Sequence, residues 1–295
     1  MKEQNKIFTV GIIGSENFHA KQFTGIFSGG AEYPDIQVKY IGGTYPEANE
    51  KLKAEFPFLE IVENPLDMLG KVDAVMMTCR DGKLHAQFAK PFIEAGIPAF
   101  VDKPFTVDGN EAVELVKLAK EKGVPLTGGS ALKSCYDVLM LANEVAKNPK
   151  DVRVGSLVAP LSMVNDYSGF YFYSSHLAEM TLRIFGYDPI EVTAIETNNH
   201  VSVLTRYENY VVTNQFVDGV YKYFGTVINQ NGIYERNIDI SLIFKHECEE
   251  FANMLRRGEM KYSYEQLIAP VHYLNAVYES YTTGKTVKVK KSDLL

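Results

Sequence analysis

Along the first 128 residues, short apolar runs alternate with segments whose apolar positions fall three and four apart. Ile7–Ile13, Val38–Ile41, Val72–Thr78, Ala99–Val101 and Val124–Thr127 are such runs, bounded by Gly, Pro or charged residues. Runs this short, apolar on both faces, suit strands covered from both sides in a parallel sheet. The segments between them read as helices. Pro46–Phe56 opens on a proline, whose missing N–H costs nothing at a first helical position. Leu84–Ala95 sets Leu84, Phe88, Phe92 and Ala95 on one stripe and stops at Gly96. Glu111–Lys122 carries Val113, Val116, Leu118 and Ala119 and stops at Gly123. This alternation predicts an α/β unit with a doubly wound parallel sheet.

After Gly128 the rhythm changes. Tyr136–Lys147 predicts a linking helix, followed by long alternating segments at Val152–Ala159, Glu191–Glu196, Val201–Tyr207, Tyr210–Val217 and Tyr221–Ile228. Asn231-Gly232 is a strong hairpin signal. Leu177–Phe185, stopped by Gly186, and Ile243–Arg257 read as helices. Strands in succession with few helices predict an α+β domain built on a large, mostly antiparallel sheet. A chain of 295 residues exceeds what one hydrophobic core serves. The expected division is therefore residues 1–128 and 129–295.

Composition narrows the function classes. Apolar residues make up 46% and charged residues 23%, as in ordinary globular proteins, and the net charge is −7. A net-acidic surface without a concentrated basic patch argues against nucleic acid or an anionic membrane as partner. The one basic run, Lys285–Lys291, alternates with Thr and Val and reads as a solvated strand. Cys79, Cys135 and Cys248 are too few and too scattered for a disulfide framework, which points to a reducing compartment. MKEQNK runs into a strand rather than a long apolar segment, and no apolar run has the length of a membrane span. A cytoplasmic protein with a small-molecule partner is expected. One face of the antiparallel sheet is expected to stay open, which makes a homodimer or homotetramer the expected assembly.

The candidate chemistry is sparse. In a doubly wound sheet, dinucleotides bind where the first strand meets the first helix. That turn reads Gly14-Ser15-Glu16-Asn17-Phe18-His19, with only the first glycine of a GxGxxG pattern. Lys103, at the carboxyl end of a predicted strand, faces either a ligand crevice or solvent as a turn lysine. His176, at the start of the 177–185 helix, is either catalytic or a partly exposed structural residue. His246-Glu247-Cys248 has no second ligand pair at metal spacing, so no metal is expected.

Several segments together resemble the glucose–fructose oxidoreductase, inositol dehydrogenase and related family (Gfo/Idh/MocA). The most specific is VDAVMMTCRDGKLHAQFAKPFIEAGIPAFVDKPFTVDGNEAVELVKLAKEKGVPL, which resembles the fourth strand, a loop ending in His, a helix and the Glu-Lys-Pro signature, here Asp102-Lys103-Pro104. SSHLAEMTLRIFGYDPIEV is similar to the family's His-bearing helix, and the stretch from Phe251 to Val289, with RRGE, AVYES and TGKTVKV, to its C-terminal segment. The resemblance implies a Rossmann-type first domain and an oxidoreductase using NAD or NADP on a sugar, polyol or related hydroxy or carbonyl compound. It implies Lys103 and His176 as catalytic residues flanking the reacting carbon, with Thr78 and Asp102 bordering the nicotinamide ribose. Gly14, Ser15, Asn17 and Phe18 would hold the pyrophosphate, with the Asn17 and Phe18 N–H groups as donors.

Departures from the pattern shape the expectation. The second glycine falls at Glu16 and the third at His19, so a Cβ and a negative charge stand where the backbone should approach the pyrophosphate. That predicts weak cofactor binding. The acidic residue at the end of the second strand falls at Gly43, and Thr44 is left as a candidate contact for a 2′-phosphate. The Asp four residues before the histidine is Phe172, with Glu179 as its candidate substitute. The alternative is a family scaffold that has lost dehydrogenase chemistry and acts as a binding or regulatory protein.

Overall fold

Each apolar run of the first half is a buried strand, and each stripe of apolar residues between them is a helix laid against the sheet. The computed structural model describes residues 6–28 and 32–292; the opening residues 1–5, read above with MKEQNK, lie outside them. The first sheet holds β1 (Phe8–Ile13), β2 (Ile36–Gly42), β3 (Glu60–Ile61), β4 (Ala74–Met77), β5 (Ala99–Val101) and β6 (Leu126–Gly128). Its order is β3-β2-β1-β4-β5-β6, all parallel, so the chain reverses its direction of winding between β1 and β4. In sheets of this order, ligands bind outside the carboxyl ends of the strands at that switch.

Helices α1 (Phe18–Ser28) and α2 (Pro46–Glu55) cover one face, and α3 (His85–Glu94) and α4 (Gly109–Lys122) the other. Asp108 caps α4 by accepting from Asn110 N–H at 2.6 Å. Gly123 ends the helix in the left-handed conformation, φ 65°.

The second half opens with α5 (Tyr136–Lys147) and β7 (Val152–Leu161), then α6 (Tyr171–Phe185) and four strands: β8 (Glu191–Thr197), β9 (His200–Arg206), β10 (Val211–Asp218) and β11 (Phe224–Asn229). β12 (Gly232–Asn237), α7 (Ile243–Arg257), α8 (Tyr264–Thr283) and the short β13 (Val287–Lys288) complete it. The second sheet runs β12-β11-β7-β10-β9-β8-β13. It is antiparallel except for one parallel pair, β7 with β10. Inward residues such as Val192, Val203, Val212 and Val227 pack against α5, α6 and α8, while Ile195, Leu204 and Ile233 on the opposite face are exposed.

Helix α1 and the short β3 carry no reading from the sequence, and three further elements differ from expectation. Helix α6 starts six residues early, at Tyr171, so His176 sits in its second turn rather than at its start. Its polar stripe faces protein, with His176 7% and Glu179 2% exposed. Helix α8 spans residues in which Pro270 obscures the periodicity; a Ser263–Gln266 capping box sets its start. Helix α7 does not stay with the second sheet. Its Cys248, Phe251, Ala252 and Met254 join α1 in the core of the first sheet, while Leu267, Ile268 and Val271 of α8 join the core on the other face.

Candidate active site

The β1–α1 turn is drawn tightly onto the loop after β4. Gly14 has φ 111°, and a Cβ there would lie 2.2 Å from Cys79 N, so only glycine lets the two backbones touch. Thr78 ties them together: its N–H donates to Ile13 O at 2.8 Å and its hydroxyl to Gly14 O at 2.9 Å. The hydroxyl expected beside a nicotinamide ribose is thus engaged by backbone. Ser15 donates to Asn49 Oδ1 at 2.5 Å. The Asn17 N–H, expected as a free donor, closes the turn on Gly14 O at 3.3 Å, and its side chain accepts from His19 N–H and donates to Asp102 Oδ2 at 3.2 Å. Phe18 is exposed, and its N–H has no acceptor among the described residues. Thr44 is exposed beyond β2.

Glu16 has a definite seat. Its Oε1 accepts from Arg80 N–H at 3.0 Å, and Oε2 is buried without a hydrogen-bond partner among the described residues. Burial pushes its carboxyl above the usual range.

Asp102 follows β5 and is fully buried. It accepts from Lys103 N–H at 2.6 Å and lies 2.7 Å from His19 Nδ1, in a contact bent away from a straight hydrogen bond. Burial alone would raise this carboxyl, but His19 and then Lys103 outweigh it and hold it at about 2. Glu247 arrives from α7, and its carboxylate, Asp102 and His19 offer atoms all within 4.8 Å of one another. Burial and then the Asp102 charge push the Glu247 carboxyl well above its usual range.

Lys103 and His176 approach from opposite halves of the chain. Lys103 Nζ lies 4.7 Å from the ring centroid of Phe172 and 5.8 Å from that of Tyr173, with no carboxylate at ion-pair distance among the described residues. The His176 ring stands 5.9 Å from the same Tyr173. Burial lowers the pKa of Lys103. Burial, then the Lys103 charge, lowers that of His176 well below the ordinary histidine range. His176 Nδ1 is 2.7 Å from Ser130 Oγ. Arg80 leans over the same aromatic wall, 4.3 Å from the Tyr167 ring and 5.2 Å from Phe172.

Beneath His176 runs a buried ion pair that sequence reasoning did not find. Glu179 Oε2 is 3.2 Å from Lys133 Nζ, and its Oε1 accepts from Ser130 N–H at 3.1 Å. Lys133 also donates to Gly128 O at 2.7 Å. Glu179 therefore does not take over the missing carboxylate at Phe172 by touching His176; it reaches the imidazole only through Ser130. A groove of 590 Å³ between α3 and α4 contains none of these residues.

With Lys103 at a β5 terminus and the turn at a β1 terminus, both beside the switch point, the comparisons with known proteins acquire a structural basis. The model of the Gfo/Idh/MocA oxidoreductase family, NAD-binding Rossmann fold, matches residues 8–130. An uncharacterized oxidoreductase, YdgJ, of Escherichia coli is 32% identical over 120 residues, 39% of this chain and 32% of that one. A UDP-N-acetylglucosamine 3-dehydrogenase of Acidithiobacillus ferrooxidans is 25% identical over 129 residues, 43% of this chain and 41% of its own length. The alignments thus span well under half of either relative. Beyond the matched domain, the fold itself is shared: scyllo-inositol dehydrogenase from Lactobacillus casei, solved with NAD(H) and scyllo-inositol, superposes with a TM-score of 0.83 at 15% identity, over 96% of this chain and 99% of that one. Among the described residues, no helix is long and apolar enough to cross a membrane.

Proposed function

We propose that the chain is an NAD(P)-dependent oxidoreductase of a sugar, polyol or related hydroxy or carbonyl compound. The observation that carries this reading is the pairing of Lys103 and His176 around Tyr173 at the carboxyl ends of the Rossmann strands. The turn fits a dinucleotide at Gly14, where the backbones close, and at the free Phe18 N–H. When bound, the nicotinamide supplies the hydride acceptor or donor.

The chain's own residues handle the proton. A lysine whose pKa burial lowers is a competent base, so Lys103 Nζ takes the hydroxyl proton as the carbon is oxidised and returns it in the reverse direction. Ser130 Oγ already accepts from Leu132 N–H at 3.2 Å. In the tautomer that serves the reaction, the Ser130 hydroxyl donates to His176 Nδ1, which leaves the ring proton on Nε2 to orient the substrate oxygen. The Phe172 and Tyr173 rings face the Lys103 ammonium.

Lys103→Met tests the reading: turnover of any substrate found in a sugar and polyol panel should fall at least about a thousandfold. The melting temperature should hold, because an unpaired buried ammonium contributes nothing to folding. A variant keeping a third or more of wild-type activity removes Lys103 from the chemistry. We also propose a cytoplasmic homodimer or homotetramer, in which Ile195, Leu204 and Ile233 on the open sheet face are covered by another copy.

A further inference from the structure

In a Rossmann domain that prefers NAD, an acidic side chain at the end of the second strand accepts from the adenosine ribose hydroxyls. Here that position is Gly43, with φ +154°, and a Cβ built on it would stand 3.2 Å from Gly14 N. No acid can be placed there without displacing the first turn. The same Cβ would be 3.9 Å from Glu16 Oε2, so the space over the end of β2 already holds a carboxylate, delivered from the neighbouring turn.

The two oxygens of Glu16 have different fates. Oε1 is pinned by Arg80 N–H at 3.0 Å, which fixes the side chain away from its own helix and over Gly43. Oε2 is buried and has no donor among the described residues. A desolvated acceptor without a partner is costly, and a ligand bearing hydroxyl donors relieves that cost. Beside it opens a cavity of 440 Å³ walled by Ser15, Glu16, Asn17 and Phe18, with Glu47 and Glu55 farther along.

Cations for an added phosphate are poorly placed. Lys21 in this cavity is held by Glu55 at 2.5 Å. The Arg80 guanidinium is turned to the second half of the chain, where it lies over Tyr167 and meets its hydroxyl at 3.4 Å. Thr44 is followed by Tyr45, Pro46 and Glu47, none of them basic. Lys51, exposed and flanked by Glu47 and Glu55, is the remaining basic residue of the cavity wall.

We propose that Glu16 replaces the missing strand-end acid, its free carboxylate oxygen receiving the adenosine ribose diol of NAD(H) and repelling the 2′-phosphate of NADP(H). The residue that the sequence alone sets against the pyrophosphate is thereby the cofactor-selecting group. The assignment rests on the dinucleotide-binding reading above.

Titration of the full chain with NADH and NADPH, followed by nicotinamide fluorescence and calorimetry, tests it in the absence of any substrate. Wild type should bind NADH at least about tenfold more tightly than NADPH, the step that one charge-assisted hydrogen bond gained or lost commands. Glu16→Gln keeps an acceptor for Arg80 N–H, so it should melt like wild type. It should weaken NADH, strengthen NADPH and bring their ratio to within about threefold. Glu16→Ala should lose the preference as well. Equal or tighter NADPH binding by wild type, or tighter NADH binding by Glu16→Gln, overturns the role of Glu16 while leaving the oxidoreductase reading intact. Binding of neither dinucleotide overturns both.

Discussion

Replacing Lys133 by methionine removes one ammonium and little volume from the floor beneath His176. Lys133 is 1% exposed, 3.2 Å from Glu179 Oε2, and donates to Gly128 O at 2.7 Å. Its loss strands a carboxylate that is itself 2% exposed and keeps only the Ser130 N–H as donor. Breaking a buried pair from one side costs about 3–5 kcal/mol. In a protein of this size that corresponds to a fall in melting temperature of roughly 5–12 °C. Differential scanning calorimetry of four proteins, the wild type, Lys133→Met, Glu179→Gln and the double variant, separates the pair from its parts. The double variant should recover much of the loss, because the glutamine amide oxygen still accepts from Ser130 N–H without a charge to bury. The deficit of Lys133→Met should also shrink on acidification. Burial already raises the Glu179 pKa in the folded state, and removing Lys133 raises it further, so the penalty is full at neutral pH and disappears as pH falls and the carboxyl takes up its proton. A Lys133→Met protein that melts within about 2 °C of wild type at neutral pH would refute the account.

Three further outcomes concern the same region. His176 is held neutral by burial, so activity should persist at pH values below the ordinary histidine pKa of about 6.5. Its depressed folded pKa also means stability lost as pH falls through the unfolded value; His176→Asn should lessen that loss in acid melts, and an unchanged slope would show that another group titrates. Gly129→Ala should destabilise by roughly 2–4 kcal/mol, since φ is +72° and the new Cβ would meet Glu179 Oε1 at 2.0 Å; denaturant melts with an unchanged midpoint would show that the loop simply moves.

Five strands of the first sheet, all but the two-residue β3, and helices α2, α3 and α4 were legible because their apolar runs and stripes are local. β5 appears where Ala99–Val101 was read, and α3 differs by one residue at each end. Lys103 was legible as a residue at a strand terminus. The polar floor was not. Ser130, Lys133 and Glu179 meet across 46 residues or more, and neither an isolated lysine in ALKS nor a glutamate on a helix carries a local sign of being buried. The early start of α6 was hidden by four aromatic residues between Phe170 and Tyr173, which read as strand or loop. Glu16 was visible as a departure from the glycine pattern. Its direction was not, because that depends on an amide at Arg80, 64 positions away.

Helix α7 crosses back from the second half of the chain to lay Cys248, Phe251 and Met254 against α1. The region matched by the family model is therefore not a self-contained body. A fragment ending at Gly128 would expose the bed of α7 on one side and that of Leu267, Ile268 and Val271 on the other. Both faces of its sheet would be left partly uncovered. Val271 is the last of these residues in the chain, so the covering of the first sheet draws on residues from Phe8 to Val271. The halves are separate in pattern but share their packing, and a change in the bed of α7 touches the first sheet and the second half of the chain together.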